Sequence, residues 1–535
     1  MPRPSSTALR ETLIAAAVGL FCALGLALVL LPLWRSGSLV LGFNDGNIEG
    51  VLSPIFSYPG SLTRIWDDHF YFGRGDIGIG VCGWSLLETL LGPFAYRRWA
   101  PLLAVALVAA AGFWASRQTG RSRPAAAVSG VFLGLCGWTA TAPLSGLLGR
   151  PLALLWAALA LGLIERSESR EGRGPLLGHA LAGGAIGLSI AETADVGAFF
   201  ALAVAAWWAL AARPPGETLR RWRRHLPRLA LLISVSALVA SHTLVKMSST
   251  ELAASLSMEQ SAEASWDWAT QWSLPAVETL SLAVPGFHGA SSRSDSAPYW
   301  GRLGQTPGWS PGQPGWRHFK LNGYFLGTAA AALLLFLLLE LRRGALPEGE
   351  RRRALFALLF AALALTLAWG RYFAVYRLFH ALPYMDSIRN PEKWLGPMSL
   401  FAALAVGFAV DALIRRVKVD AKGWGRSVDA FALASAVLLL LLLGALRPDP
   451  DTLGSAQLTT VVSTGTRAVL AAVLALAGLA LGRRLVLRVP ESGRPWAIAA
   501  VLSALIAGQL LWAARPYVEI VDASYLSRPA ALLEE

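Results

Sequence analysis

Residues Thr12–Leu33 read TLIAAAVGLFCALGLALVLLPL, an apolar run without a single charged side chain. Crossing the hydrocarbon core of a bilayer takes roughly 20 residues of apolar helix, and this run is long enough. Arg3 and Arg10 precede it, and Trp34 and Arg35 follow it. A cleaved leader has a shorter apolar core, about 7 to 15 residues, ending in small side chains. Here the run ends in Pro32, Leu33 and Trp34, so it reads as a retained first span.

The same pattern recurs along the chain. Apolar windows with basic flanks give about thirteen spans, near 12–33, 99–116, 125–141, 151–165, 176–190, 196–212, 229–247, 322–341, 354–370, 397–414, 430–446, 467–482 and 496–514. The expected fold class is therefore all-α: a polytopic transmembrane helical bundle with extracytoplasmic loops, forming one integral membrane domain over 1–535. Composition agrees, since 55% of the 535 residues are hydrophobic and only 15% are charged. A net charge of +13 would suit a nucleic-acid binder. The basic residues, however, lie in short clusters between apolar runs, which is the signature of membrane topology and excludes nucleic acid as a partner.

Lys and Arg are retained on the cytoplasmic face of a membrane. Arg117, Arg121 and Arg123 fall on one face with Arg166, Arg228, Arg342, Arg343, Arg351, Arg352, Arg353, Arg415, Arg416, Arg483 and Arg484. Together with the N-terminal arginines and their neighbours, this face holds more than half of the 47 basic residues. The N-terminus is expected in the cytoplasm and, with an odd number of spans, the C-terminus outside. Three long segments then face outward: 34–98, 248–320 and 371–397.

The first outward segment gathers Asp45, Glu49, Asp67, Asp68 and Asp76. Asp45 sits in the turn Phe43-Asn44-Asp45-Gly46. A carboxylate there suits deprotonation of an acceptor hydroxyl, or holding a divalent cation against a phosphate. It equally suits an Asx-turn, and both readings stay open. Asp67 and Asp68 fit a metal-binding pair or a solvated helix end, with His69 as a further ligand candidate. Gly73, Gly75, Gly78 and Gly80 lack the strand-turn-helix frame of a dinucleotide fingerprint and read as a bending loop. Cys22, Cys82 and Cys136 lack metal-ligand spacing and read as packing residues, a Cys82–Cys136 bridge being the alternative.

Two further places invite chemistry. Glu192 and Asp195 occupy a very short outward turn between the fifth and sixth spans, where an unpaired acid is expensive and so a functional candidate; the other reading is an acid reaching the interface. The segment 376–394, YRLFHALPYMDSIRNPEKW, puts Arg377, Arg389 and Lys393 on the outer face, against the positive-inside bias. A lipid phosphate or pyrophosphate would explain these cations, as would anchoring among headgroups. In the second outward segment Trp266, Trp268, Trp272, Trp300, Trp309 and Trp316 read as an interfacial aromatic belt ahead of a sugar-stacking surface.

With these residues in view, the chain resembles the YfhO-type family of bacterial integral membrane proteins, grouped with the GT-C class of glycosyltransferases. The shared layout is a first span, an early outward acid (Asp45), then Trp66 and Gly73–Gly75 before the second span, and an outward Arg-x-Pro-like segment (Arg389, Asn390, Pro391, Glu392, Lys393) before a later one. The resemblance implies a GT-C-like bundle in the bacterial cytoplasmic membrane. It further implies transfer of a sugar from a polyprenyl-phosphate-linked donor to a cell-envelope glycan or polymer on the outer face. Asp45 would be the catalytic carboxylate; Arg389, Lys393 and Arg377 would meet the donor phosphate; Asp67, Asp68, Glu192 and Asp195 would support them. Whether a divalent cation takes part is left open. The alternatives are a lipid or glycan transporter or flippase, for which no inverted repeat is visible, and a non-catalytic scaffold for envelope assembly.

Overall fold

Each expected apolar window overlaps a helix, apart from 430–446. The computed structural model describes residues 6–35, 37, 39–42, 66–67, 74–75, 80–168, 174–212, 225–247, 262–290, 299–303, 323–382, 385–419 and 455–522, and 430–446 lies outside them. The long helices are α1 (Ser6–Val29), α2 (Gly83–Gln118), α3 (Arg123–Leu135), α4 (Gly149–Glu168), α5 (Gly174–Glu192), α6 (Ala194–Leu210), α7 (Leu226–Lys246), α8 (Thr328–Arg342), α9 (Glu348–Ala368), α10 (Leu395–Val419), α11 (Ser455–Leu487) and α12 (Arg494–Ala514).

The protein is a helical membrane protein, but about thirteen crossings are not established. Among the described residues six helical stretches are long and apolar enough to cross a bilayer: Thr7–Val29, Gly83–Gln118, Leu226–Lys246, Pro391–Val419, Val462–Leu487 and Arg494–Tyr517. A seventh results if Arg123–Leu135 and Gly137–Ser145, bent by 44°, count as one broken span. The other described helices fall outside this set, α8 with 15 residues and α9 with three consecutive arginines, Arg351–Arg353, among them. Part of the first outward segment is also helical. α2 begins at Gly83 and breaks at Gly92 (φ 72°), followed by Pro93, so the expected span 99–116 is only its second arm.

α10 is the axis of the bundle, buried along its whole apolar stretch and packed by α3, α6, α8 and α9. Ser129 of α3 satisfies its hydroxyl on the Ala403 carbonyl (2.7 Å), and Gly407 gives room for Ser116. By contrast, α1 and α7 turn Leu20, Leu24, Leu28 and Leu238 outward, as helices facing lipid do. α5 and α7 approach closely because Gly183 and Gly187 lie against the backbone at Leu232 and Ser236; small residues allow such contact where apolar burial gives no driving force.

The two ends of the bundle differ. At one end α2, α3, α4, α9 and α10 bring together the arginines that the charge count assigned to one face. Arg121 lies between Asp411 (3.2 Å) and Glu350 (3.1 Å), Arg353 pairs with Glu165 (2.9 Å), and Arg228 with Glu168 (3.0 Å). The opposite end carries the starts of α4, α6 and α10. There a two-stranded ladder joins distant parts of the chain: β1 (Leu39–Leu41) runs antiparallel to the late strand Ile520–Asp522, with Val40 opposite Val521. Cys22, Cys82 and Cys136 are buried thiols, and the Cys82–Cys136 bridge does not form.

Candidate functional site

The turn before α10 builds the site. Asn390 adopts a left-handed conformation (φ 68°, ψ 79°), and Pro391 starts a single turn, Pro391–Trp394, with its φ already set for helix. That turn buries two neighbouring charges, Glu392 and Lys393. Its position is fixed from below and beside. Trp394 stacks on Phe199 of α6 (centroids 4.4 Å apart, planes at 14°), and the Glu392 amide donates to the Trp272 carbonyl (3.3 Å).

Each charge has a partner. Lys393 Nζ forms an ion pair with Asp195 in the first turn of α6. Both Nη atoms of Arg150, at the start of α4, reach a single oxygen of Glu392 at 3.4 Å, longer than the 2.7–2.9 Å usual for charged pairs. The Arg150 guanidinium also lies over the Trp138 ring, 5.1 Å from its centroid. Burial alone would raise the Asp195 carboxyl, but the Lys393 charge and hydrogen bond, the Val196 amide and nearby Arg150 hold it below the usual carboxylate range. Two cations and two acids are thus collected from the starts of three helices, with Arg150 and Lys393 each about one-tenth exposed.

Glu192 closes the same corner, past the expected span 176–190. Its carboxylate accepts from the amides of Gly83 (2.7 Å) and Trp84 (3.2 Å), capping the start of α2, and from Trp156 Nε1 (3.0 Å). Burial pushes it up to about 7, against the pull of these three donors. Gly149, beside Arg150, packs on the Glu192 carbonyl, so the turn from Glu192 to Asp195 and the start of α4 form one unit.

Of the residues expected from sequence, Lys393 and Asp195 meet, and Glu192 lies in the adjoining turn. Arg377 and Arg389 take other partners. Both are exposed, Arg377 over the Trp266 ring (5.1 Å) and Arg389 over Trp268 (5.9 Å), the two tryptophans of the short helix Ala262–Ala269. Asp45 and Asp68 lie outside the described residues, as do Trp309 and Trp316. Asp67 lies in a two-residue strand, Trp66–Asp67, opposite Arg74. Among the described residues no group of three or more His, Cys, Asp or Glu is placed to hold a metal ion.

Although Asp45 itself is not described, the root of its segment is. The Gly42 amide donates to the Glu519 carbonyl (2.9 Å), extending the β1 ladder to within three residues of Asp45. A Cβ at Gly42 would lie 2.9 Å from Val521 Cγ1, so a larger residue there would make the Val521 side chain shift. Arg97 Nη1 donates to the Leu41 carbonyl (3.1 Å), fixing β1 to α2. From the partner strand the chain of contacts runs from Tyr517 to Phe325, whose carbonyl accepts the Gly137 amide (2.9 Å), and so to Trp138 under Arg150. The root of the acidic segment and the paired cations therefore share one end of the bundle.

Arg150 and Glu392 were missed as site residues. Glu392 stands inside the quoted RNPEK motif. Arg150 immediately precedes the apolar window 151–165, at the end of the bundle opposite the arginine-rich one, and a cation there is the same departure from the expected charge bias that singled out Arg377.

No family model and no curated protein matches this sequence. Among solved structures the chain is similar to ArnT from Cupriavidus metallidurans in the apo state, with 16% identity over 96% of this chain and 78% of that one, and a TM-score of 0.53. It is similar also to the same protein bound to undecaprenyl phosphate, with 14% identity over the same shares and a TM-score of 0.50. The likeness shows that this chain shares the fold of that membrane protein.

Proposed function

We propose that this protein is a multi-pass glycosyltransferase of the bacterial cytoplasmic membrane, moving a sugar from a polyprenyl-phosphate-linked donor to a cell-envelope acceptor on the outer face. On this reading the N-terminus and the arginine-rich end lie in the cytoplasm, and the shorter helices complete about thirteen crossings. Membership of the YfhO-type family belongs to the same proposal. The observation that carries it is the buried pairing of Lys393 with Asp195 and of Arg150 with Glu392, at the end of the bundle where the Asp45 segment is rooted. The solved relative of the same fold bound to undecaprenyl phosphate supports the choice of lipid.

In the reaction the acceptor oxygen attacks the anomeric carbon, the bond from that carbon to the phosphate oxygen breaks, and the phosphate leaves with the electron pair. The acceptor proton passes to Asp45. The leaving group gains negative charge, so cations already oriented and withdrawn from water supply the main stabilisation. Lys393 is such a cation, and Arg150 adds a planar fork suited to phosphate oxygens. Asp195 and Glu392 hold both in place until a phosphate competes for them.

The test is transfer by purified protein from a polyprenyl-phosphate donor, with Asp45→Asn and Asp45→Ala beside wild type. Losses of about 100-fold or more are expected, within the range of general-base contributions; unaltered transfer by folded variants would remove Asp45 from the mechanism. Orientation is tested separately. A cysteine engineered at Ser291 should label from outside the cell and one at Arg221 should not, and the reverse pattern would invert the topology.

A further inference from the structure

Three backbone positions with positive φ meet beside the candidate site. Trp272 (φ 49°) and Asn390 (φ 68°) are the non-glycine residues in this conformation among those described, and Gly370 (φ 46°) packs between them. The Asn390 amide donates to the Ala269 carbonyl (3.2 Å), the Glu392 amide to the Trp272 carbonyl, and Gly370 lies against Ser273 and Pro391 with no room for a Cβ. Arg371 locks the junction, donating to the Thr270 hydroxyl (2.9 Å) and the Asp267 carbonyl (3.1 Å). Strained residues persist only where surrounding structure over-determines them, and they gather at functional sites.

Asn390 is the odd member of this junction. It stands where an asparagine normally caps the following turn with its side-chain oxygen, yet its side chain makes no such bond. Its Oδ1 is instead buried with no hydrogen-bond partner among the described residues. Glycine would fit the left-handed backbone with less strain and without burying an unsatisfied acceptor. The carboxamide is therefore expensive as architecture, three residues from Lys393.

We propose that the Asn390 carboxamide reads the sugar of the donor, its Oδ1 accepting a hydrogen bond from a hydroxyl or amine of a glycosyl group carried on the phosphate that Lys393 meets. This rests on the reading of the site as one for a lipid-phosphate-linked sugar, and goes further by naming the group that distinguishes the glycosylated lipid from the bare carrier. A carboxamide oxygen only accepts, so the discriminating feature of the ligand is a donor and not an acceptor.

The experiment titrates the full chain in nanodiscs with undecaprenyl phosphate, and with undecaprenyl phosphate carrying glucose, galactose or arabinose. Wild type is compared with Asn390→Gly and Asn390→Asp. Asn390→Gly should melt at or above the wild-type temperature and bind bare undecaprenyl phosphate as wild type does. It should bind the glycosylated lipid preferred by wild type about fivefold more weakly, the loss of one neutral hydrogen bond. Asn390→Asp keeps an acceptor and should retain most of the sugar-dependent affinity. Unchanged binding of the glycosylated lipid by Asn390→Gly overturns the inference, and so does equal weakening toward both lipids. If Asn390→Gly does not accumulate folded, Asn390→Ser, whose side chain is too short to reach, carries the same comparison. Failure of wild type to bind any of these lipids removes the site reading itself, a result distinct from either.

Discussion

Replacing Lys393 by Met, and separately Asp195 by Asn, distinguishes a phosphate site from a structural ion pair. Lys393 is one-tenth exposed and Asp195 rather more so, at 28%. Losing a charge-assisted hydrogen bond to a phosphate costs about 1.5–3 kcal/mol. Arg150 remains in Lys393→Met, so we take about 2 kcal/mol, near 30-fold in the Kd for undecaprenyl phosphate. Asp195→Asn acts in the opposite sense. Orphaning a fully buried charge costs about 3–5 kcal/mol, and the partial exposure of Asp195 reduces this to about 2 kcal/mol. The unliganded variant should therefore melt lower, while its freed lysine binds the lipid phosphate at least as tightly as in wild type. The ligand-induced rise in melting temperature should accordingly be larger in Asp195→Asn than in wild type and smallest in Lys393→Met. The double variant should regain stability without regaining the ligand response. The assay is thermal unfolding in nanodiscs with and without undecaprenyl phosphate. Equal loss of lipid binding in both single variants, or an unchanged Kd in Lys393→Met, would show that the pair is architecture and that phosphate binds elsewhere.

Two other outcomes follow from the geometry. Glu192 has its folded pKa raised to about 7, above the ordinary carboxylate value, so its stabilising share is complete in acid and is lost as pH rises through 7. The melting temperature of wild type should fall between about pH 5 and pH 7 more steeply than that of Glu192→Gln, and parallel curves would contradict the assignment. At the arginine-rich end, Asp411 accepts from Arg121 and from the Ser122 amide and hydroxyl. Asp411→Ala should destabilise by about 3 kcal/mol, the lower end for a broken buried pair because Glu350 still meets Arg121. Leu395 and Asp411 are about 24 Å apart along α10 at 1.5 Å per residue, so lipid affinity per folded molecule should not change; a parallel loss would show that the two ends communicate.

Apolar length and charge made most of the bundle legible, since both depend on local sequence. The runs of leucine and alanine mark helices wherever they fall, and arginines such as Arg121 and Arg353 gather at one end as their counting implied. Lys393, Asp195 and Glu192 were visible because a charge at the outer end of an apolar run breaks a local rule. What could not be read is pairing between distant segments. Nothing near Glu392 announces Arg150, 242 positions earlier, and nothing in Leu39–Leu41 announces a partner at Ile520. Window counting also marks more spans than the six stretches that are long and apolar enough by themselves among the described residues. α8 and α9 are apolar in short windows, yet α8 has only 15 residues and α9 carries Arg351–Arg353 near its start, so neither stands among those six. Arg377 and Arg389 show a third limit: sequence spacing groups them with Lys393, but the turn at Asn390 sends the guanidinium of Arg389 onto an indole and the ammonium of Lys393 into the interior.

The ladder between Leu39–Leu41 and Ile520–Asp522 has a bearing on biogenesis. A strand that enters the membrane system first must wait for one synthesised almost five hundred codons later before its backbone is satisfied. The corner beside Gly42 is thus assembled only once Ile520–Asp522 has been made, behind helix α12. A ribosome stalled or a message cut before codon 520 would leave α1 to α12 made but β1 without its partner strand.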